Sequence, residues 1–237
     1  MLLLLLACTA KEPFSIPFVA VEGEHPLKCG EPTPTGLRVY DLRLFVHDLK
    51  LTADDGTTVP LTLTPGPFQT ETVAMLDFED GCSNGTPQTH TALTGTVPPG
   101  VYTALSMVVG VPFVDNHANP AKAEGPLSAT SMHWTWTGGY KFLRLDYVRE
   151  DGRKRVHLGS TGCKGEIGAP EGCLRENRAV VTLPMRPGVP IAFDVAGLTG
   201  AGGCMGGDDE LDCAPVFEAL GMDLVSGKAD HGGVVFR

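Results

Sequence analysis

The 237-residue chain predicts an all-β fold: an antiparallel β-sandwich with long disulfide-stapled loops and little helix. Three observations lead there: short runs in which apolar and polar residues alternate, turn signals between those runs, and cysteines spaced as for disulfides. "LRVYDLRLFVHDLKL" alternates from Leu37 to Leu51, and "ADDGTT" then supplies an Asp-Gly turn before "VPLTLT". "VAMLDFED" is a short apolar run, and "PPG" joins "TALTGTV" to "YTALSMVVGVPF". "YKFLRLDYVRE" and "KRVHLGS" flank "DGR", a further hairpin signal, and "RAVVTLP" and "VPIAFDVAGL" add two more strands. Helical periodicity is confined to "APVFEALGMDLV". About eight to ten strands with short turns suit a sandwich better than a parallel α/β fold. Without an internal repeat or low-complexity linker, one domain is expected.

The first 28 residues read as a truncated signal and tether, and residues 29–237 as the single β-sandwich domain. "MLLLLLACTA" has the apolar run and Leu-Ala-Cys of a bacterial lipoprotein signal, with Cys8 as the lipidated residue. A plain secretory signal that happens to contain a cysteine is the alternative. The run is short and lacks a preceding basic residue, so the true signal is expected to begin upstream. Both versions give an exported protein, periplasmic or anchored to the outer membrane of a Gram-negative bacterium. No later stretch reaches the roughly 20 apolar residues that a spanning helix needs.

Setting Cys8 aside leaves Cys29, Cys82, Cys163, Cys173, Cys204 and Cys213, an even set that reads as disulfides in an exported chain. The close spacings suggest two local staples, Cys163–Cys173 and Cys204–Cys213, which leaves Cys29 for Cys82. Zinc is the alternative, but no CxxC spacing occurs. A net charge of −10 argues against nucleic acid, because no basic face is available to displace counterions from phosphate. The GxSxG, P-loop, GxGxxG and HExxH motifs are all missing, so nothing supports ordinary catalysis.

Seven histidines and seven methionines remain as candidate ligands. Imidazole with thioether suits copper, whereas carboxylate-rich sites suit calcium or magnesium. His117 lies in the polar turn "DNHANP", and His157 precedes a cysteine loop in "VHLGSTGC". "SMHWTWTGGYKF" holds both tryptophans. As a regular strand it would put Met132, Trp134 and Trp136 on one face and His133 and Thr135 on the other. It is either a core strand with two large anchors or a site where thioether and indole stand together.

Taken together, "DLRLFVHDLKL", "VAMLDFEDGC", "GTVPPGVYTALSMVVGVPF" with the following "NHANP", "MHWTWTGGYKFLRLD" and "HLGSTGC" resemble the MbnP-like family. These are exported proteins of methanobactin-type copper operons and metallo-mystery pair systems, and the resemblance is to the branch with a four-cysteine motif. It runs from about Leu37 to Phe236 and makes Cys163, Cys173, Cys204 and Cys213 the motif's cysteines. It assigns nothing to His47 or His90. The resemblance implies copper as cofactor and a partner, a di-haem enzyme of the MauG type that oxidises a tryptophan to kynurenine. Indole N–H is a donor only, whereas the opened ring offers an amine and a ketone with lone pairs. His117, His157, Met132 and either Trp134 or Trp136 are therefore expected to share a metal pocket. His133 is expected to point away from it, with a strand bulge as the exception.

Two rivals stand beside this non-enzymatic copper-binding protein. One is an exported carbohydrate-binding or adhesion module with Trp134 and Trp136 as a stacking platform. The other is a copper enzyme with an open coordination position and a substrate cleft.

Overall fold

The computed structural model describes residues 10–82, 85–135, 138–200, 202–206, 211–230 and 232–237. Cys8, read as the lipidation site, and Trp136 lie outside the described residues. Most of the chain is strand, arranged as two large sheets whose apolar faces share one core. Arg38–Ala53 is the central strand of the larger sheet. Tyr102–Val109 and then Ala179–Pro184 lie to one side of it, and Leu143–Arg149, Gly152–Leu158 and Cys204–Met205 to the other. Val73–Asp77 and Thr58–Pro60 also pair with it. The smaller sheet runs Ile191–Asp194, Glu12–Glu22, Ala92–Val97, Thr62–Leu63.

The sandwich follows from alternation. Leu42, Leu44 and Val46 of the central strand face the shared core with Ile16, Phe18, Leu93 and Phe193 of the smaller sheet. Each such side chain contributes roughly 1.5–3 kcal/mol by leaving water. Phe45 belongs instead to a second apolar cluster with Val73, Met75, Val111, Met132, Tyr140 and Phe142. Both faces of this strand are thus covered, which is why its apolar run is nearly continuous.

The expected turns form. Ala53 N–H donates to the Thr57 carbonyl (2.8 Å) across the Asp-Gly turn, and Leu143–Arg149 pairs antiparallel with Gly152–Leu158. All three expected disulfides are present: Cys29–Cys82, Cys163–Cys173 and Cys204–Cys213. Among the described residues no helix is long and apolar enough to cross a membrane.

Two strand pairs of the otherwise antiparallel sandwich are parallel, Glu12–Glu22 with Ile191–Asp194 and Gly152–Leu158 with Cys204–Met205. Two expectations are corrected. Glu12–Glu22 is part of the domain rather than a tether, since it pairs with two strands and buries Ile16, Phe18 and Ala20. The C-terminal helix is only Ala214–Ala219; Leu220 caps it and Gly221, at φ +74°, turns the chain away.

Candidate metal centre

The tryptophan segment does not fold as one regular strand. Thr130–Met132 forms a 3-10 turn, and the strand is His133–Thr135, paired with Gly139–Tyr140. Met132 is therefore outside the alternation expected to place it beside Trp134. Its side chain is fully buried in the cluster with Phe45, Tyr140 and Phe142. His133 packs edge-on against Tyr140, with ring centres 5.1 Å apart. Burial and then the charge of Lys141 lower its pKa.

Trp134 points elsewhere, and its ring meets His157 edge-on at 6.4 Å. Two glycines make room for the indole. A Cβ on Gly206 would lie 3.3 Å from Trp134 Cη2, and one on Gly159 3.4 Å from Cε3 and 2.6 Å from the Tyr140 carbonyl oxygen. Gly206 arrives on the strand end that the Cys204–Cys213 disulfide holds, and its N–H donates to the His157 carbonyl (2.9 Å).

His157 is buried on Gly152–Leu158, opposite Arg144 on the neighbouring strand. Its Nε2–H donates to Asp146 Oδ1 at 2.7 Å, so Nδ1 is the atom left to offer a metal. Arg144 donates to Asp146 Oδ2 (2.8 Å) and also pairs with Asp41 (3.1 Å). Burial raises the Asp146 pKa, but the hydrogen bonds from His157 and Arg144 outweigh it and hold the carboxyl well below the usual carboxylate range. A carboxylate behind a histidine in this way fixes the ring and raises its basicity as a ligand.

His117 follows the short helix Phe113–Asn116 and is also buried. Tyr140 N–H donates to Asn116 Oδ1 (2.8 Å), which fixes the amide's orientation. The Asn116 Nδ2–H group then faces His117 Nε2 at 3.2 Å and the Gly138 carbonyl at 3.5 Å. Because Nδ2 can only donate, His117 Nε2 accepts and carries a lone pair. Gly139, at φ +73°, backs onto Asn116; a Cβ there would lie 2.3 Å from Oδ1. The Gly-Gly pair thus serves close packing, and Gly139 is buried rather than an open docking surface.

His117 Nε2 also lies 3.4 Å from Cys173 Sγ, in a group with Cys163 whose ligand atoms all fall within 4.8 Å of one another. The two sulfurs are bonded to each other, and metals take thiolates, so this is packing rather than a Cys₂His site. Cys29 and Cys82, near Asp80, are joined in the same way.

The tryptophan hairpin is what connects the two histidines. Its first strand packs on His157 through Trp134, and its return strand binds the Asn116–His117 turn through Gly138 and Tyr140. Sequence reasoning missed Asp146, Arg144 and Asn116. The first two had a signal: the Asp-Gly hairpin sets the register that puts Arg144 opposite His157, and alternation returns Asp146 to the same face.

The MbnP family model matches residues 11–203, and no curated protein matches. A solved structure, MbnP from Methylosinus trichosporium, is similar at TM-score 0.85 and 28% identity, covering 96% of this chain and 98% of that one. With the family model spanning most of the sequence, the chain belongs to the MbnP family.

Proposed function

We propose that this protein is an exported, non-enzymatic copper-binding protein whose site is completed when a di-haem partner of the MauG type oxidises Trp134. The observation that carries this reading is the contact of the Trp134 indole with His157, whose far nitrogen is anchored by Asp146. An indole offers a metal no lone pair, but kynurenine's amine and ketone do, and they form where a histidine already stands. His157 through Nδ1 is the imidazole donor, and His117 becomes a second one when its Nε2 lone pair leaves the Asn116 amide; imidazole suits copper. Met132, buried in the apolar cluster, is the thioether closest in sequence. The three disulfides and the resemblance in the leader support export.

A stacking platform fits less well, because Trp134 sits over Gly159 and Gly206 with its ring against His157 rather than presenting an open face. The test is copper content of protein made with and without the di-haem partner. Coexpression under oxygen is expected to give a tryptophan peptide with net gain of one oxygen and loss of one carbon, since ring opening adds both atoms of dioxygen and hydrolysis then releases one carbon as formate, together with raised copper affinity. Equal affinity before and after conversion overturns the reading, as does full copper retention by His157→Ala.

A further inference from the structure

The face of Arg38–Ala53 that carries Phe45 also carries Arg43, which is paired in register with Asp77 on Val73–Asp77. Beyond Phe45 and Met75 the second apolar cluster ends and a cavity of about 550 Å³ opens. Arg43, Phe68, Met75, Asp77, Thr86 and Ser131 line it, and the turns from Gly125 to Ser131 form its rim. Phe68 is braced from behind by the stacked ring of His90, at 5.1 Å.

The charged groups here are engaged, with one exception. Arg43 donates through Nε and Nη2 to the Asp41 carboxylate and through Nη1 to Ser131 Oγ (3.0 Å). Glu79, also buried, accepts from the Gly81 and Thr86 backbone N–H groups at 2.9 and 2.6 Å. Asp77 Oδ1 accepts from Glu79 N–H (3.1 Å). Asp77 Oδ2 has no hydrogen-bond partner among the described residues, although Asp77 is 1% exposed. Buried polar atoms are normally paired, so an unpartnered carboxylate oxygen, itself buried, on a residue that lines the cavity marks where a ligand's donor belongs once the cavity fills.

We infer that this cavity is a second binding site, which takes a small organic cation: a protonated amine or guanidine on an apolar body. The N–H group donates to Asp77 Oδ2 while the body lies along Phe68 and Met75. An anion is disfavoured, because Arg43 is neutralised by Asp41 and the surrounding Asp77 and Glu79 add negative charge. A bare divalent metal is disfavoured too, since the Glu79 oxygens are held by backbone donors and Arg43 stands opposite Asp77. Burial pushes the Asp77 carboxyl up to about 7, with Arg43 and the Glu79 N–H opposing and Glu79 and Asp41 reinforcing the rise. His90, bridged to Asp77 through the backbone, is itself lowered by burial. A cation selects the carboxylate, so its affinity falls as pH drops below about 7, approaching tenfold per unit.

This site does not depend on the copper reading, and its test uses metal-free protein so that the two fail separately. Benzylamine and agmatine are titrated calorimetrically at pH 8 and pH 6, with benzyl alcohol as the uncharged control. Saturable amine binding, at least tenfold weaker for the alcohol and weaker at pH 6, is the expected result. Asp77→Asn is expected to lose at least tenfold, as is Thr130→Trp, which blocks the exposed rim without touching the buried acid. Equal binding of amine and alcohol overturns the proposal, as does unchanged binding by Thr130→Trp or by folded Asp77→Asn, or no saturable binding at either pH.

Discussion

The carboxylate that grips His157 and the amide that grips His117 make opposite demands on their rings. Asp146 accepts only, so the bonded His157 nitrogen keeps its proton whatever the other nitrogen does. Asn116 Nδ2 donates only, so the bonded His117 nitrogen must stay bare. One histidine is held as a donor to its anchor, and the other as a lone pair aimed at a hydrogen-bond donor. The difference also reaches into the backbone. Asp146 is tied to Arg144 and the large sheet, whereas Asn116 is tied to the hairpin that carries Trp134. Disturbing the first is expected to change metal affinity, and disturbing the second to change stability.

The largest expected effect is on the amide side. Gly139→Ala places a methyl 2.3–2.4 Å from Asn116 oxygens at a left-handed φ. A loss of about 3–4 kcal/mol is expected, read as a lowered thermal midpoint. Asn116→Ala should follow at about 2 kcal/mol, because it leaves the buried Tyr140 N–H without its acceptor. On the carboxylate side, Asp146→Asn should weaken the proposed copper binding by about 10- to 100-fold. If Asp146→Asn unfolds the protein and Gly139→Ala does not, the division between the two grips is wrong.

The smallest effect separates the histidines by acid. The Asp146 carboxyl is held low, so the stability it confers is complete above the unfolded value near 4 and is lost only as pH falls further. His47 has no carboxylate grip; burial and then Arg178 depress it to about 4. Its contribution is full above about 6.5 and drains away as pH falls through 4. His47→Gln should therefore flatten the stability profile between pH 6.5 and 4, whereas Arg144→Gln, which lets the folded Asp146 pKa rise back toward its unfolded value, should flatten it only below. Denaturant midpoints across that range distinguish the two.

Much of the fold was legible because alternation and turn chemistry are local. The Asp-Gly hairpins, the central strand and all three disulfides follow from short spacings or from elimination. The strand Glu12–Glu22 was not legible, since Pro13 and Pro17 argue against a strand paired on both sides. The structure accommodates them because residues 12–17 pair with Ala92–Val97 alone, while Ile191–Asp194 pairs further along, from Phe18 onward. Within the candidate site, His117, His157 and Trp134 were proposed from residue chemistry and resemblance, and the structure adds the neighbours of each. Asn116 was passed over because its role arises from a contact with Gly139 and Tyr140, more than twenty residues away. Met132 was misplaced onto Trp134's face because a 3-10 turn breaks the period of two just before the strand begins.

The parallel pairing of Phe18 with Ile191 has a kinetic consequence. Hairpins such as Leu143–Arg149 with Gly152–Leu158 can zip as soon as both arms exist, because closing a short loop takes little time. The first strand has to wait for a partner more than 170 residues along the chain before its upper half is covered. Phe236 then packs against both Phe18 and Phe193, so the last turn of chain seals the same edge. Contacts of such long sequence separation slow folding, and they place closure of the smaller sheet late in the sequence of events. Until then Ile16, Phe18 and Ala20 stand open, and a nascent chain is most vulnerable to aggregation through its own first strand.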